Sequence, residues 1–173
     1  MSATSLKTIV LMGVSGCGKS TIGKFIAGQT GMIFIEGDDH HPDVNIQKMS
    51  RGEPLTEADR GPWIESLAAA INAEISPVVV TCSALTTRIR RLLTLLVRSE
   101  VWFVHLHGDF ELIRERIANR DTHFMPEALL KSQFETLEPS PGIPKIDVSQ
   151  SPEEIFRHIK QQIKWIQLLE KKK

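Results

Sequence analysis

The chain has 173 residues, a formal net charge of zero, 41% hydrophobic and 24% charged residues; this suits one soluble globular domain over residues 1–173 and argues against a broad nucleic-acid or membrane-binding surface. Cys17 and Cys82 form no CxxC pair, which excludes a disulfide framework and suits a reducing compartment. No apolar run has the length of a membrane span or of a signal-peptide core, so a cytoplasmic location is expected.

Five apolar, β-rich runs predict strands at 7–12, 32–36, 77–84, 101–107 and 144–148. They lack strict alternation, as parallel strands covered on both faces do. Helical stretches separate them, and three carry start signals. Thr56 precedes "EADRGPWIESLAAAINAEI", whose apolar spacing is helical after Pro62. Asp109 can cap "FELIRERIANR", and Ser151-Pro152-Glu153-Glu154 combines an N-cap, a proline at the first helical position and a capping-box glutamate. The alternation predicts an α/β fold with a five-stranded parallel sheet flanked by helices.

Between the first strand and the first helix lies "GVSGCGKST", Gly13 to Thr21. Gly13-x-x-x-x-Gly18-Lys19-Ser20 is a complete phosphate-loop pattern in the right setting. The backbone of Gly13, Val14, Ser15, Gly16, Cys17, Gly18, Lys19, Ser20 and Thr21 is expected to cradle the phosphates of ATP, with the helix N-terminus adding its dipole. Lys19 supplies a cation for the β- and γ-phosphates, and Ser20 offers a hydroxyl to Mg²⁺. A plain strand-to-helix turn rarely needs Lys-Ser after its last glycine. The helix N-terminus and Lys19 could also activate the Cys17 thiol toward alkylation, with ATP protecting. No Asn/Thr-Lys-x-Asp motif appears, which disfavours guanine-type GTPases.

The segment "EGDDHHPDVNIQKMSRGEPLTEADRGPW" (36–63) crowds acids, histidines and Arg60 just after the second strand. Carboxyl ends of strands line the ligand crevice of open α/β sheets, so Asp38 is expected beside an acceptor hydroxyl. A dedicated metal site among Asp38, Asp39, His40, His41 and Asp43 is disfavoured, because the spacing matches no zinc pattern and Pro42 interrupts any aligning helix.

These residues carry a resemblance. "MGVSGCGKST", the 36–63 segment, "CSAL", "HLHGDFELIRERIANRDTHFMPEALLKSQFETLEP" and "IDVSQSPEEI" resemble, in order and spacing, the thermoresistant-type gluconokinase family, small P-loop kinases that phosphorylate D-gluconate. The resemblance implies a P-loop kinase fold with a short mobile lid at about 120–136, using ATP and Mg²⁺. By that likeness Asp38 holds the reacting hydroxyl and takes its proton, and Arg60 pairs with the gluconate carboxylate. His41, Lys48, Arg90 and His123 are expected at the substrate. Arg120 closes on the phosphates, with Lys19, Asp38 and Arg120 as the catalytic set, and Arg116 lies nearer the adenine. Glu36, where the family has aspartate, helps hold Mg²⁺ through water. Trp165 and its apolar neighbours cover the sheet or serve a homodimer contact.

After "CSAL" the family reads Lys, then Tyr-Arg-Asp; this chain has Thr86, then Ile89-Arg90-Arg91. Thr86 is expected at the crevice mouth, with Arg88 or Arg91 able to compensate for the missing lysine. Shikimate-type kinases show a glycine triplet where this chain has "CSAL", and the short lid disfavours an adenylate kinase. A nucleotide-binding regulator with little turnover is the reading from a different class. The loop itself generates a test. Lys19→Ala should lower kcat by at least about a hundredfold while circular dichroism reports an intact fold; near-normal kcat would refute the phosphate-loop role.

Overall fold

The computed structural model describes residues 7–119 and 126–164. Arg120, His123 and Trp165, with the expectations resting on them, lie outside the described residues. Strands β1 (Lys7–Met12), β2 (Ile33–Ile35), β3 (Val78–Thr81), β4 (Glu100–His107) and β5 (Lys145–Asp147) form one parallel sheet in the order β2-β3-β1-β4-β5. Helices α1 (Lys19–Thr30), α2 (Asp43–Ser50), α3 (Glu57–Ala73), α4 (Thr87–Leu96), α5 (Phe110–Ala118), α6 (Glu127–Thr136) and α7 (Pro152–Gln162) connect and flank it.

The central strand explains the unbroken apolar run. Successive side chains of a strand point to opposite faces. Ile9 and Leu11 join one buried cluster with Ile22 and Ile26 of α1, Ile113 of α5 and Ile155 and Ile159 of α7. Val10 and Met12 join a second with Trp63, Ile64 and Leu67 of α3 and Ile89 and Leu93 of α4. Both faces of β1 are therefore core. The chain leaves β1 toward β2 on one side and later crosses to β4 on the other, so strand order reverses at β1. A crevice opens beyond the carboxyl end of β1 at such a reversal.

Two details depart from expectation. Strand β3 ends at Thr81, not at Ala84, because Ala84 adopts a left-handed backbone (φ 43°) that turns "CSAL" out of the sheet. Helix α3 begins at Glu57 and runs through Pro62. A proline inside a helix costs about 3 kcal/mol. Two features offset it: a capping box joining Thr56 and Asp59, and burial of Trp63, Ile64, Leu67, Ala68 and Ile71 beyond the proline. The predicted caps Asp109 and Ser151 both accept from the backbone of their helices, and Ser151 with Glu154 completes a capping box.

His105 of β4 is 6% exposed. Burial, with His107, Lys145 and Arg90 nearby, pushes its pKa down from 6.5 to about 4. The unfolded chain thus binds a proton that the folded chain refuses between those values, and stability falls as pH drops through the window. At 1.36 kcal/mol per pKa unit the loss is about 3 kcal/mol. Urea denaturation from pH 7 to 4 should show it, and His105→Asn should flatten that slope; an equally steep slope in the variant would rule His105 out as its source.

Candidate active site

The phosphate loop rises from the carboxyl end of β1. Gly13 N–H donates to the Ser83 carbonyl at 3.2 Å, tying the loop to the turn after β3. Gly18 caps α1 with φ 98°, a left-handed conformation that favours glycine. No acidic residue stands in the first turn of α1, so the positive end of its dipole is uncompensated. Lys19 arches back over the loop, its Nζ donating to the carbonyls of Gly13 (3.0 Å) and Val14 (2.9 Å). Arg116 of α5 donates from Nη2 to the Val148 carbonyl at 2.5 Å, and its Nη1 lies 4.0 Å from where a Cβ on Gly18 would sit. It is thus held between the phosphate loop and the turn after β5.

Cys17 departs from the reactive thiol expected. Its side chain points into the core with 0% exposure, packed among the cluster that contains Ile22 and Ile113. Cys82 is buried too, and burial pushes its thiol up to about 12. Neither sulfur is open to a reagent in the folded state.

The second half of the site follows β2. Gly37 opens a single 3₁₀ turn (Gly37–His40), and a Cβ there would overlap the Thr81 carbonyl oxygen, so only glycine permits this approach of the turn to β3. Gly37 N–H donates to the Thr81 hydroxyl at 2.9 Å, and that hydroxyl donates to the Glu36 carboxylate. Trp63 Nε1 donates to the Gly37 carbonyl at 2.8 Å, and its ring stacks on His41 with centroids 4.1 Å apart. Asn45 Nδ2 donates to the Asp59 carbonyl (2.9 Å) and lies 3.3 Å from His41 Nδ1. That contact makes Nδ1 the acceptor, so the neutral ring carries its proton on Nε2, 3.9 Å from Asp38 Oδ1. Burial lowers the His41 pKa; Asp38 opposes the shift and Arg60 adds to it. The Asp38 side chain is 73% exposed.

A cavity of about 230 Å³ joins the two halves. Ser15 and Lys19 line it from the phosphate loop, and Asp38, His41 and Arg60 from the acceptor segment. Arg60 also pairs with Glu57 at 3.3 Å. Helix α6 forms a further wall through Leu129, Ser132, Gln133 and Thr136, spaced so that all share one helical face. Sequence reasoning placed these α6 residues within the lid expected at about 120–136 and gave none of them a contact of its own at the site. Their spacing in "LLKSQFET" was the available signal, but only the fold aims that face at the cavity.

Two residues expected at the substrate stand elsewhere. Lys48 pairs with Asp59 at 2.7 Å and does not line the cavity. Arg90 is buried, donating to the carbonyls of Ala84 (2.9 Å), Leu85 (3.1 Å) and Pro139 (3.0 Å) and to the Thr87 hydroxyl (3.0 Å). It clamps the strained "CSAL" turn onto the segment after α6. Thr86, expected at the crevice mouth, is 8% exposed. Its hydroxyl accepts from Ile89 N–H as the N-cap of α4 and donates to Glu57 at 3.3 Å. Arg88 reaches within 3.9 Å of the same glutamate, while Arg91 is exposed. Among the described residues no cluster of three or more His, Cys, Asp or Glu could hold a metal by itself. The Ser20 hydroxyl in the first turn of α1 and the Glu36 carboxylate just past β2 are oxygen donors of the kind Mg²⁺ takes beside waters and phosphate oxygens.

Sheet order, loop and cavity define a small-molecule kinase of the P-loop class. Residues 9–140 match the family model described as an AAA domain. A probable gluconokinase from Xenopus tropicalis is 41% identical over 156 residues, covering 79% of this chain and 80% of that protein. The crystal structure of a gluconokinase from Sinorhizobium meliloti 1021 superposes with a TM-score of 0.81 at 42% identity, covering 92% of this chain and 96% of the other. A shikimate kinase structure from Aquifex aeolicus shares the fold, with a TM-score of 0.62 covering 93% of this chain and 98% of that one, but only 17% identity. The chain belongs to the gluconokinase family.

The Arg90 clamp is testable. Hydrogen bonds to a charged group contribute about 1.5–3 kcal/mol, so Arg90→Ala should lower the unfolding free energy by about 2–4 kcal/mol. Arg90→Lys should recover only part, lacking the planar fork. An unchanged urea midpoint in Arg90→Ala would contradict this.

Proposed function

We propose that the protein transfers the γ-phosphoryl group of ATP to D-gluconate, giving 6-phospho-D-gluconate and ADP. The observation that carries this reading is the single cavity in which Lys19 of the phosphate loop meets Asp38 and Arg60 of the acceptor segment. A cation for phosphate, a carboxylate for a hydroxyl and a guanidinium for a carboxylate are the groups that a phosphoryl donor and a sugar acid require. Membership of the gluconokinase family supports the choice of acceptor.

Asp38 accepts the proton of the acceptor's terminal hydroxyl as its oxygen bonds to the γ-phosphorus. His41, held by Trp63 and Asn45 with its Nε2 toward Asp38, orients that carboxylate. Arg60 exchanges Glu57 for the gluconate carboxylate. Lys19 leaves the loop carbonyls for the phosphate oxygens, where it offsets developing charge. Arg116 lies on the nucleotide side of the loop, and Arg120 and His123 contribute from the lid. Ser20, with Glu36 acting through water, would hold a Mg²⁺, which would supply positive charge to neutralise the phosphates. Lys48 supports the acceptor segment through Asp59. No described helix is long and apolar enough to cross a membrane, and a cytoplasmic setting suits a kinase that draws on ATP.

A panel of sugar acids in a coupled ADP-release assay, with the product identified by ³¹P NMR, tests the proposal. Gluconate should be turned over. Asp38→Asn, which keeps the shape but cannot take the proton, should lower kcat about 10²- to 10⁴-fold while ATP binding persists. ATP binding with no gluconate-dependent ADP release in the unaltered protein would favour the regulator instead.

A further inference from the structure

Gln133 of α6 makes a contact that the phosphotransfer scheme leaves unused. Its Oε1 accepts from the backbone N–H of Ser15 at 2.7 Å, bridging 118 residues of sequence from the α6 wall to the phosphate loop. Because the partner is an N–H, the amide orientation is set: oxygen on Ser15, nitrogen turned away. The Nε2 group has no hydrogen-bond partner among the described residues, although Gln133 lines the cavity with Lys19 and Asp38. The helix does not depend on this contact for its place. Leu130 is 1% exposed in the core and Phe134 packs edge-on against Phe110 at 5.5 Å. A half-buried polar side chain on an independently anchored helix is thus aimed at the loop.

We propose that Gln133 is a phosphate-binding residue: its carboxamide is held by Ser15, and its Nε2 donates to the terminal phosphate of ATP. The carboxamide is planar and short, so a nitrogen whose partner oxygen sits on a loop amide lies at the loop's own edge. Ser15 and Gln133 line the same cavity as Asp38, so a γ-phosphate standing between the loop and Asp38 for transfer comes within that nitrogen's reach. The α- and β-phosphates lie deeper against the nest and the start of α1. A donor there distinguishes ATP from ADP. It also couples α6 to the nucleotide's phosphorylation state. The inference rests on the phosphotransfer reading for the direction in which the γ-phosphate points, but not on gluconate as the acceptor.

Gln133→Glu separates a donor from a mere clip. The glutamate keeps an oxygen for Ser15 N–H, removes the donor and sets a negative charge against the phosphate. Calorimetric titration should show ATP affinity falling about tenfold or more with ADP affinity changed less than about twofold. Gluconate-dependent kcat should fall about a hundredfold, the scale of removing one positioned donor. Gln133→Ala should show the same ATP-selective loss at smaller size. Equal shifts for ATP and ADP, or a glutamate variant that binds both like the unaltered protein, would overturn the proposal and leave Gln133 a structural clip. If the unaltered protein fails to phosphorylate gluconate, the acceptor assignment falls, and the ATP-against-ADP comparison still decides the role of Gln133.

Discussion

A phosphate-binding loop has to present backbone N–H groups outward while the strand that carries it is buried on both faces, and that constraint organises this molecule. Strand β1 cannot leave the centre of the sheet, since Ile9 and Leu11 are core on one side and Val10 and Met12 on the other. The loop is then steadied by what stands beside β1. Gly13 N–H reaches the Ser83 carbonyl on one flank, and a Cβ on Gly13 would press the Leu106 carbonyl on the other. Such a loop binds anions with little reorganisation, because its amides are aimed before the ligand arrives.

The acceptor half is built differently. It rests on polar contacts between short segments rather than on a continuous apolar core. Asp59 is its centre: the carboxylate caps α3 with Thr56 and pairs with Lys48, and the backbone carbonyl holds Asn45. Asn45 sets the tautomer of His41, and Trp63 holds the imidazole flat while its own indole N–H secures the turn carrying Asp38. Each link is directional, so the arrangement fixes orientation more than it contributes stability. A side chain that must change partners during turnover belongs in such a setting.

A third assembly explains why "CSAL" and "LEP" occur as separated motifs. Glu138 N–H donates to the Leu85 carbonyl at 2.9 Å, Thr87 N–H donates to the Glu138 carboxylate at 2.7 Å, and Arg90 spans both segments. The docking sets the base of α6 against the turn that touches the phosphate loop. It also accounts for Thr86, where the family has lysine. The hydroxyl caps α4 and reaches Glu57, a short-range task that a threonine performs without leaving an unpaired buried charge.

The sequence by itself determined the parallel α/β architecture, the phosphate loop and the three capped helix starts, because these depend on local signals: apolar runs, glycine spacing, and side-chain oxygens just before helices. It also pointed to Asp38, since residues just past a core strand in an open sheet line the crevice, while His41 and Arg60 came from the family resemblance; all three line the cavity. Only the tertiary structure decided how charges and polar groups pair across distant segments. Arg90 reads as a substrate cation in sequence, yet its two terminal nitrogens meet three carbonyls and the Thr87 hydroxyl that the fold brings together. Lys48 is claimed by Asp59. Cys17 looks exposed in a glycine-rich loop, but the loop's turn directs its side chain inward. Gln133 reaches Ser15 across the whole domain, and no periodicity can reveal a partner so remote. Hydrogen bonding is short-range in space but indifferent to separation along the chain, so its pattern becomes legible only once the chain has folded.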